Sequence, residues 1–392
     1  MPLRIGILCP SFPPGERPCG VGDFTRRLAS ALAEGGTEIA VLTGTGYRGA
    51  ERIPGGKVRG IAREWGPRAL GAVAAACREE GAHALLVQYA PDLYPPGPGW
   101  INSLPLAMRA LSPGIPAVVS LHTVGVPAPG SMLGAALMIL SAHALIATNE
   151  EVSHLLGKYL RPSLRKTVEI PIGANVEPPR RDPGARREAR ARFIAERGIP
   201  ADAGLLAHFG LYYPGKGAEQ ILEAAGAWKR EGRAFRLFMI GARREGDGGF
   251  YEGLRARGRG LGLAEEVIWT GYLPEEEASA ILLGADLFLA PYEGGISTRR
   301  GSLMAALAHG LPVVSTPPRI PTRHFREGEN FEPVPFGDAG ALARAVPALL
   351  GDPARREKLA RGADELAREF EWGQIAEKTR AFVAGVVKKA CP

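Results

Sequence analysis

The segment with the strongest chemical character lies in the C-terminal half, where a short apolar run gives way to polar residues and then to a helical pattern. Glu293 ends that run, and a carboxylate there could accept hydrogen bonds from sugar hydroxyls. Ser297, Thr298 and the amides around them would face a phosphate at the start of the next helix. The pair Arg299–Arg300 opposes the dipole of that helix, so a nearby anion or carboxylate would explain it.

A second candidate is Lys216, in the glycine-rich segment Gly210–Gly217 between an apolar run and a helical pattern. Its ammonium would suit a phosphate as a point charge, and a solvated lysine after a turn is the alternative. The segment fits the P-loop spacing GxxxxGK, but Gly217 stands where magnesium binding requires a serine or threonine hydroxyl. Pro214 also lacks an amide proton for a phosphate. The pattern therefore disfavours an NTPase site.

A third candidate is the start of the first amphipathic helix, which contains Gly20, Gly22 and Asp23. Glycines there would let a diphosphate approach the backbone closely. A tight turn with Asp23 as the helix cap is the alternative. The segment Gly44–Gly49 matches GxGxxG, but Pro54 and two glycines follow it where a dinucleotide fingerprint needs a helix. We interpret it as a loop.

These candidates follow short apolar runs that alternate with helical periodicity, which is the pattern of parallel sheets built from βαβ units. A segment rich in Pro, Arg and Gly, from 178 to 200, divides the runs into two series and is predicted to be an interdomain linker. The sequence therefore predicts two α/β domains. Their predicted strands are 3–9, 38–43, 84–87, 117–121, 144–147 and 168–170, then 205–209, 235–240, 267–270, 287–290 and 313–315.

Composition sets broader limits. A chain of 392 residues can bury two such cores. The 48 Lys and Arg exceed the 41 Asp and Glu by seven charges, which suits phosphorylated ligands or an anionic membrane face. Six arginines crowd the segment 180–192, which we interpret as a solvated linker and helix face, with membrane attraction as the alternative. Four cysteines without CxxC spacing indicate neither zinc nor a redox pair.

Features that would direct the chain into or across a membrane are not recognisable. No signal-peptide pattern precedes the first apolar run. The most apolar stretch, 132–147, is interrupted by Ser141 and His143 and is shorter than the roughly 20 residues of a spanning helix. We expect a cytoplasmic protein, with peripheral attachment to the anionic inner membrane face left open.

Taken in order, the segments resemble the GT-B glycosyltransferases of the large retaining family numbered four. The resemblance implies two Rossmann-like domains whose parallel sheets face a central cleft, and a C-terminal helix that crosses back to the N-domain. We expect an acceptor-side domain at 1–178, a nucleotide-sugar domain at 179–370 and the crossover helix at 371–392. The matching segments cover nearly the whole chain and are 20–24, 121–123, 147–151, 171–176, 209–217, 271–274, 285–291 and 305–315.

The resemblance also implies site roles in the N-terminal half. Gly20 and Gly22 would face the donor phosphates, and His122 would contact the transferred sugar. On residue type alone, a hydrogen-bonded histidine at a strand end is the alternative for His122. Acceptor contacts are expected on N-domain loops that include the segment Val124–Ser131.

In the C-terminal half, the resemblance implies that Lys216 holds the diphosphate, Glu293 the sugar hydroxyls and the backbone near Tyr272 the base. The implied activity is transfer of a sugar from a nucleotide-diphosphate donor, with retained configuration. The acceptor is a glycan, a lipid-linked glycan or a small molecule. No metal, other cofactor or nucleic acid is implied.

Two positions depart from the family pattern. Leu211 stands where the family usually has an arginine, and Ala305 stands where it usually has a ribose-binding glutamate. We hypothesise that Arg299 or Arg300 supplies the missing cation. Base preference is left open by the change at Ala305.

Other classes of function are weighed by their motifs. No pair of aspartates has the DxD spacing of a metal-dependent transferase, and no histidine begins the HExxH of a zinc hydrolase. A degenerate GT-B protein that binds a nucleotide or a glycan without turnover is one alternative. A GT-B phosphorylase or epimerase is the other.

Overall fold

The computed structural model describes residues 2–12, 19–47, 49, 53–94, 99–124, 129–179, 183–243 and 248–390. It divides into two compact units. The first, unit 1, comprises Met1–Gly173 with Glu371–Pro392, and the second, unit 2, comprises Ala174–Phe370. The domain roles predicted from the sequence stay predictions.

Within the described part of unit 1, seven parallel strands form one sheet in the order β3-β2-β1-β4-β5-β6-β7. Three of the strands, β4, β5 and β6, are buried along their whole length, as expected for a parallel sheet that is covered on both faces. The strands are β1 (Arg4–Leu8), β2 (Glu38–Gly44), β3 (Gly56–Ala62), β4 (Ala84–Tyr89), β5 (Ala117–Leu121), β6 (Ala144–Ala147) and β7 (Thr167–Glu169).

The helices of unit 1 include the last helix of the chain. It packs against the first, where the rings of Phe24 and Trp372 lie 5.5 Å apart. A Cβ added at Gly173 would lie 2.6 Å from the Trp372 ring, so this close contact requires glycine. The predicted return of the C-terminal helix to the first unit is confirmed. The helices are α1 (Gly20–Glu34), α2 (Pro67–Glu79), α3 (Leu104–Leu111), α4 (Pro129–Ser141), α5 (Glu150–Tyr159) and, at the end of the chain, the helix Trp372–Ala390.

Unit 2 repeats the architecture. In its described residues, six parallel strands have the order β10-β9-β8-β11-β12-β13. They are β8 (Gly204–Phe209), β9 (Phe235–Ile240), β10 (Val267–Gly271), β11 (Leu287–Ala290), β12 (Val313–Ser315) and β13 (Glu332–Pro333). The helices are α6 (Pro183–Arg197), α7 (Ala218–Arg230), α8 (Gly248–Gly260), α9 (Glu275–Gly284), α10 (Gly301–Ala308), α11 (Ala339–Leu350) and α12 (Pro353–Ala367), which makes the terminal helix Trp372–Ala390 α13.

No helix in the parts of the chain described above combines the length and the apolar content of a membrane span.

The linker predicted from 178 to 200 is wrong, because most of it is α6. The ring of Phe193 is buried against Phe238. Arg186 donates to the carbonyls of Ala285 and Gly310, and Arg190 donates through two nitrogens to the Asp286 carboxylate. These two arginines therefore bind inside unit 2 and do not form a solvated face. Positions 180 and 181 of the same basic segment lie outside the described residues.

Each sheet has a point at which the strand order reverses. In unit 1 it lies between β1 and β4, and in unit 2 between β8 and β11. Ligands of open α/β sheets bind beyond the carboxyl ends of the strands at this reversal. The segments that follow β1, β8 and β11 contain most of the candidate residues, whereas His122 follows β5 and Tyr272 follows β10.

The contacts of α6 lead to a stability prediction. Arg190→Ala is expected to lower the free energy of unfolding by about 2 kcal/mol, because it removes two charged hydrogen bonds from a partly buried carboxylate. Urea denaturation measures the change. Arg192→Ala, in the same helix but exposed, is the matched control and should cost less than about 0.5 kcal/mol. Equal losses in the two variants would contradict the assigned role of Arg190.

Candidate functional site

Two loops of unit 2 form the base of the candidate site. One joins β8 to α7 and the other joins β11 to α10. They are in direct contact, since the Glu293 amide donates to the Gly215 carbonyl at 3.0 Å. Gly217 has φ +80°, and a Cβ added there would lie 2.2 Å from the Pro291 carbonyl oxygen. The serine or threonine of a P-loop therefore does not fit at this position.

Lys216 is held against aromatic rings between these loops. It is 6% exposed, and its ammonium lies 5.3 Å from the centre of the Tyr213 ring and 5.2 Å from that of Tyr292. The guanidinium of Arg300 lies 3.9 Å from the centre of the same Tyr292 ring. The Tyr292 ring is thus in contact with both cations. The sequence did not predict this role, because it shows only that Tyr292 precedes Glu293.

The three positive charges of this basic cluster (Lys216, Arg299 and Arg300) repel one another. Burial, then Arg300 and then Arg299, lowers the pKa of Lys216 to about 7. No carboxylate among the described residues offsets these effects on Lys216. Without a bound anion, these effects favour loss of a proton from the Lys216 ammonium. An anion that binds there would favour the charged form of Lys216 again.

The start of α10 adds unused hydrogen-bond donors to the basic cluster. Arg300 is the residue before the first turn, its side chain does not cap the helix, and the turn contains no acidic residue. In the described chain, the buried Ser297 Oγ and Arg300 Nε have no hydrogen-bond partner. Buried donors are normally satisfied, and a helix start favours negative charge. These groups could hold a phosphate, and the contact predicted from the sequence for residues 297–300 stays a prediction.

The other predicted residues of unit 2 flank this position. Glu293 is exposed, and its carboxylate covers Gly215, since a Cβ added there would lie 2.7 Å from Oε2. Thr298 is buried in the same loop. Tyr272, which directly follows β10, is 75% exposed.

His208 belongs to the same site and was not singled out in the sequence. It is buried in β8, where its Nδ1 lies 2.7 Å from the Leu289 carbonyl oxygen. Burial, reinforced by the charges of Lys216 and Arg300 and opposed by the hydrogen bond to Leu289, lowers the pKa of His208 to about 4. The ring is therefore neutral near pH 7 and adds no positive charge. In the sequence, the only feature that could have indicated a role for His208 is that it interrupts an otherwise apolar predicted strand.

In unit 1, the start of α1 is open. Cys19 precedes the first turn and makes no side-chain cap. Asp23 lies inside the first turn and pairs with Arg26 at 3.7 Å, so the interpretation of Asp23 as the helix cap is wrong. A Cβ added at Gly20 would meet nothing within 4 Å, whereas Gly22 is buried.

His122 lies next to this helix start, with its ring 4.9 Å from that of Phe24 in an edge-on contact. Its Nε2 is 2.7 Å from Gln88 Oε1 on β4. Burial lowers the pKa of His122 to about 3, so the ring is neutral near pH 7. His122 is therefore a hydrogen-bonded histidine at the end of a strand, as one of the two interpretations expected. Its contact with a sugar stays a prediction. Of the expected acceptor segment, residues 125–128 lie outside the described residues.

Comparison with known families matches both units. A profile of the family "Glycosyl transferases group 1" matches residues 203–352, in unit 2. A profile of the "Glycosyl transferase 4-like domain" matches residues 19–172, in unit 1.

Two relatives are named glycosyltransferases. The phosphatidyl-myo-inositol mannosyltransferase of Mycobacterium leprae is 29% identical over 238 residues, which is 60% of this chain but only 58% of that protein. The D-inositol 3-phosphate glycosyltransferase of Salinispora tropica is 25% identical across 96% of this chain and 84% of its own.

Solved structures share the fold at low identity. Sucrose-phosphate synthase from Thermosynechococcus elongatus superposes with a TM-score of 0.79 at 18% identity, covering 99% of this chain and all of that one. Anabaena HepE in complex with UDP-glucose gives 0.73 at 16% identity, covering 99% and 100%.

Two parallel α/β units, with a last helix that belongs to the first, define a protein of the GT-B glycosyltransferase fold. The chain carries a domain of the glycosyl transferases group 1 family in unit 2 and a glycosyl transferase 4-like domain in unit 1.

The lowered pKa of Lys216 predicts a pH dependence of anion binding. Sulfate, which does not titrate near neutral pH, should bind with an affinity that falls by about tenfold per pH unit above about pH 7, because the neutral lysine must first take up a proton. Arginines stay charged over this range. Isothermal titration calorimetry from about pH 6 to about pH 9 measures it.

Lys216→Met is the control for this measurement. It should bind sulfate weakly and without this pH dependence, because the titrating group is gone. An affinity in the unsubstituted protein that does not change with pH would show that Lys216 stays charged in the empty site.

Proposed function

We propose that the protein transfers a sugar from a nucleoside diphosphate sugar to an acceptor hydroxyl, with retained anomeric configuration and without a metal ion. The observation that carries the proposal is the basic cluster. Lys216 and Arg300 share the Tyr292 ring beside the uncapped start of α10, at the reversal of strand order in unit 2.

The chemical demand is on the leaving group. When the bond between the sugar and the diphosphate breaks, negative charge grows on the diphosphate oxygen. Fixed cations and helix-start amides in a buried site stabilise that charge without having to reorganise. Lys216 and Arg300 are held by rings and loop contacts before the ligand arrives, so they meet this demand and could take the place of a metal ion.

The remaining residues are assigned to the sugar, the base and the phosphates. Glu293 would accept hydrogen bonds from sugar hydroxyls, and neutral His122 would contact the transferred sugar. The backbone near the exposed Tyr272 would contact the base. A Cβ added at Gly20 would meet none of the described residues within 4 Å, which leaves room for a donor phosphate to approach.

The donor and acceptor classes draw support from the relatives. HepE is described in complex with UDP-glucose, which supports a nucleotide sugar as donor. Two relatives are named for phosphatidyl-myo-inositol and for D-inositol 3-phosphate, so inositol derivatives are the first acceptors to assay. The family assignment favours transfer over a phosphorylase, an epimerase or a binding protein without turnover.

For one of the two departures from the family pattern, Leu211, the structure offers a replacement cation. Position 211 carries no charge, but Arg300 lies against the ring that also holds Lys216. We assign the missing cation to Arg300, because the exposed Arg299 contributes less to the pKa of Lys216. Ala305 is fully buried in α10, so another group must bind the ribose.

A thermal-shift screen of UDP-, GDP- and ADP-sugars tests the donor class. A donor at about 100 times its Kd should stabilise the folded protein by about 2.7 kcal/mol, because it binds only that state. Lys216→Met should lose most of the shift. If no nucleotide sugar raises the Tm of the unsubstituted protein, the proposal fails.

Donor hydrolysis without acceptor tests turnover. We expect slow release of free sugar, whose initial anomer, recorded by NMR before mutarotation, matches that of the donor. A binding protein would release no sugar. Release of the opposite anomer would contradict retention.

Arg300→Ala is expected to lower kcat for this hydrolysis by about 100-fold or more, because one charge on the leaving group loses its partner. The Tm should change little, since this half-buried side chain leaves an unsatisfied nitrogen in the folded protein. Arg300→Lys, which keeps the charge, should recover part of the loss. Unchanged donor kinetics in Arg300→Ala would reject the role of Arg300.

A further inference from the structure

A large part of unit 1 contains no acidic residue. The sequence from Leu93 to Asn149 has neither Asp nor Glu, and the same is true from Leu160 to Val168. The first stretch includes α3 and α4, and the second includes the 3-10 helix Arg161–Lys166. Exposed surface on these elements can therefore carry positive charge but no negative charge from its own residues.

Exposed leucines are concentrated on the same three elements. Five of them are between 40% and 53% exposed, and a group of exposed apolar side chains on neighbouring elements is more informative than a single one. In α4, two of these leucines are three residues apart and therefore lie on one face of the helix. The five are Leu106 and Leu111 of α3, Leu137 and Leu140 of α4, and Leu164 of the segment Arg161–Lys166.

Hydrogen bonds join the three elements at the end of α4. Arg109 of α3 donates to the Ser141 carbonyl through two nitrogens, at 3.1 and 3.3 Å. Lys166 donates to the carbonyls of Leu140 and Ala142 at 2.8 and 2.6 Å. Burial and the nearby Arg109 lower the pKa of Lys166, which shows that the two charges lie close together.

We call this region the leucine–basic surface, and define it by Leu137, Leu140 and Leu164 together with Arg109, Arg161, Arg165 and Lys166. Arg109, Arg161 and Arg165 are exposed. Nearby His143 does not add to the charge near pH 7, because burial, Arg109 and Lys166 lower its pKa. The carboxylates that border the two stretches in sequence are Asp92, Glu150 and Glu169, and Glu169 accepts a hydrogen bond from Ser153 of α5.

We propose that the leucine–basic surface docks on an anionic lipid bilayer. Leucines that stand out from a protein enter the boundary between headgroups and acyl chains, while neighbouring arginines and lysines are attracted to anionic headgroups. Their long side chains can remain at headgroup level. The surface lies on the bilayer and does not cross it.

Charge distinguishes this partner from a second copy of the chain. A symmetric dimer would bring the same patch of each copy together. Arginines would then face arginines, with no carboxylate on these elements to pair with them. An anionic membrane supplies both the apolar layer and the opposite charge. This inference does not depend on the transferase chemistry of unit 2.

Vesicle co-sedimentation of the full chain tests the proposal. We expect binding to vesicles of phosphatidylcholine with phosphatidylglycerol, little binding to phosphatidylcholine alone, and weaker binding at high salt. The double variant Arg161→Gln with Arg165→Gln should bind anionic vesicles about 25-fold more weakly, at about fivefold for each charge. Leu137→Gln with Leu140→Gln should lower binding by at least about tenfold.

Phe336→Gln is the matched control, because Phe336 is 42% exposed but lies in unit 2. It should bind vesicles like the unsubstituted protein. Urea midpoints close to that of the unsubstituted protein would show that the variants are folded.

Three results would overturn the proposal. The first is no preference for anionic vesicles. The second is an equal loss of binding in Phe336→Gln and in the leucine variant. The third is light scattering that shows a dimer which the leucine substitutions dissociate, since the surface would then be an interface between copies.

Discussion

The repulsion between Lys216 and Arg300 is the interaction on which the candidate site depends. Both cations lie against Tyr292, and the loops around them supply no carboxylate that offsets the effect on the lysine. The folded protein holds this arrangement because aromatic faces and tight loop contacts fix it in place. A site kept in this strained electrostatic state has affinity for anions before any ligand is present, and a diphosphate is the anion that matches two cations next to a helix start.

The strand order of each sheet determines where such chemistry can occur. In unit 2 the reversal between β8 and β11 separates the carboxyl ends of two neighbouring strands, and their loops meet there through the contact of Gly217 with Pro291. In unit 1 the corresponding position brings the start of α1 next to His122. The units thus use the same geometric rule with different side chains, cationic in one and uncharged in the other.

Much of the fold could be predicted from the sequence, because apolar runs mark parallel strands clearly. The predicted bounds of β5, β6, β9, β11 and β12 agree with the structure. Strand β3 was missed, since exposed Lys57 and half-buried Arg59 interrupt its apolar pattern at the sheet edge. Helix α6 was missed because its buried contacts use arginines. The candidate residues of the loop before α10 could be predicted together because they are close in sequence. The contribution of Tyr292 could not, because it depends on a contact with Lys216 in another loop.

The position of α13 also has a consequence for biosynthesis. Its residues Trp372, Ile375 and Val383 complete the same apolar core as β1 and α1, yet they follow all of unit 2 along the chain. When a ribosome has synthesised unit 2, the helix that covers this side of unit 1 has not yet been made. Translation stopped before Trp372 would leave an apolar face of α1 uncovered, so unit 1 cannot complete its core until unit 2 has been synthesised.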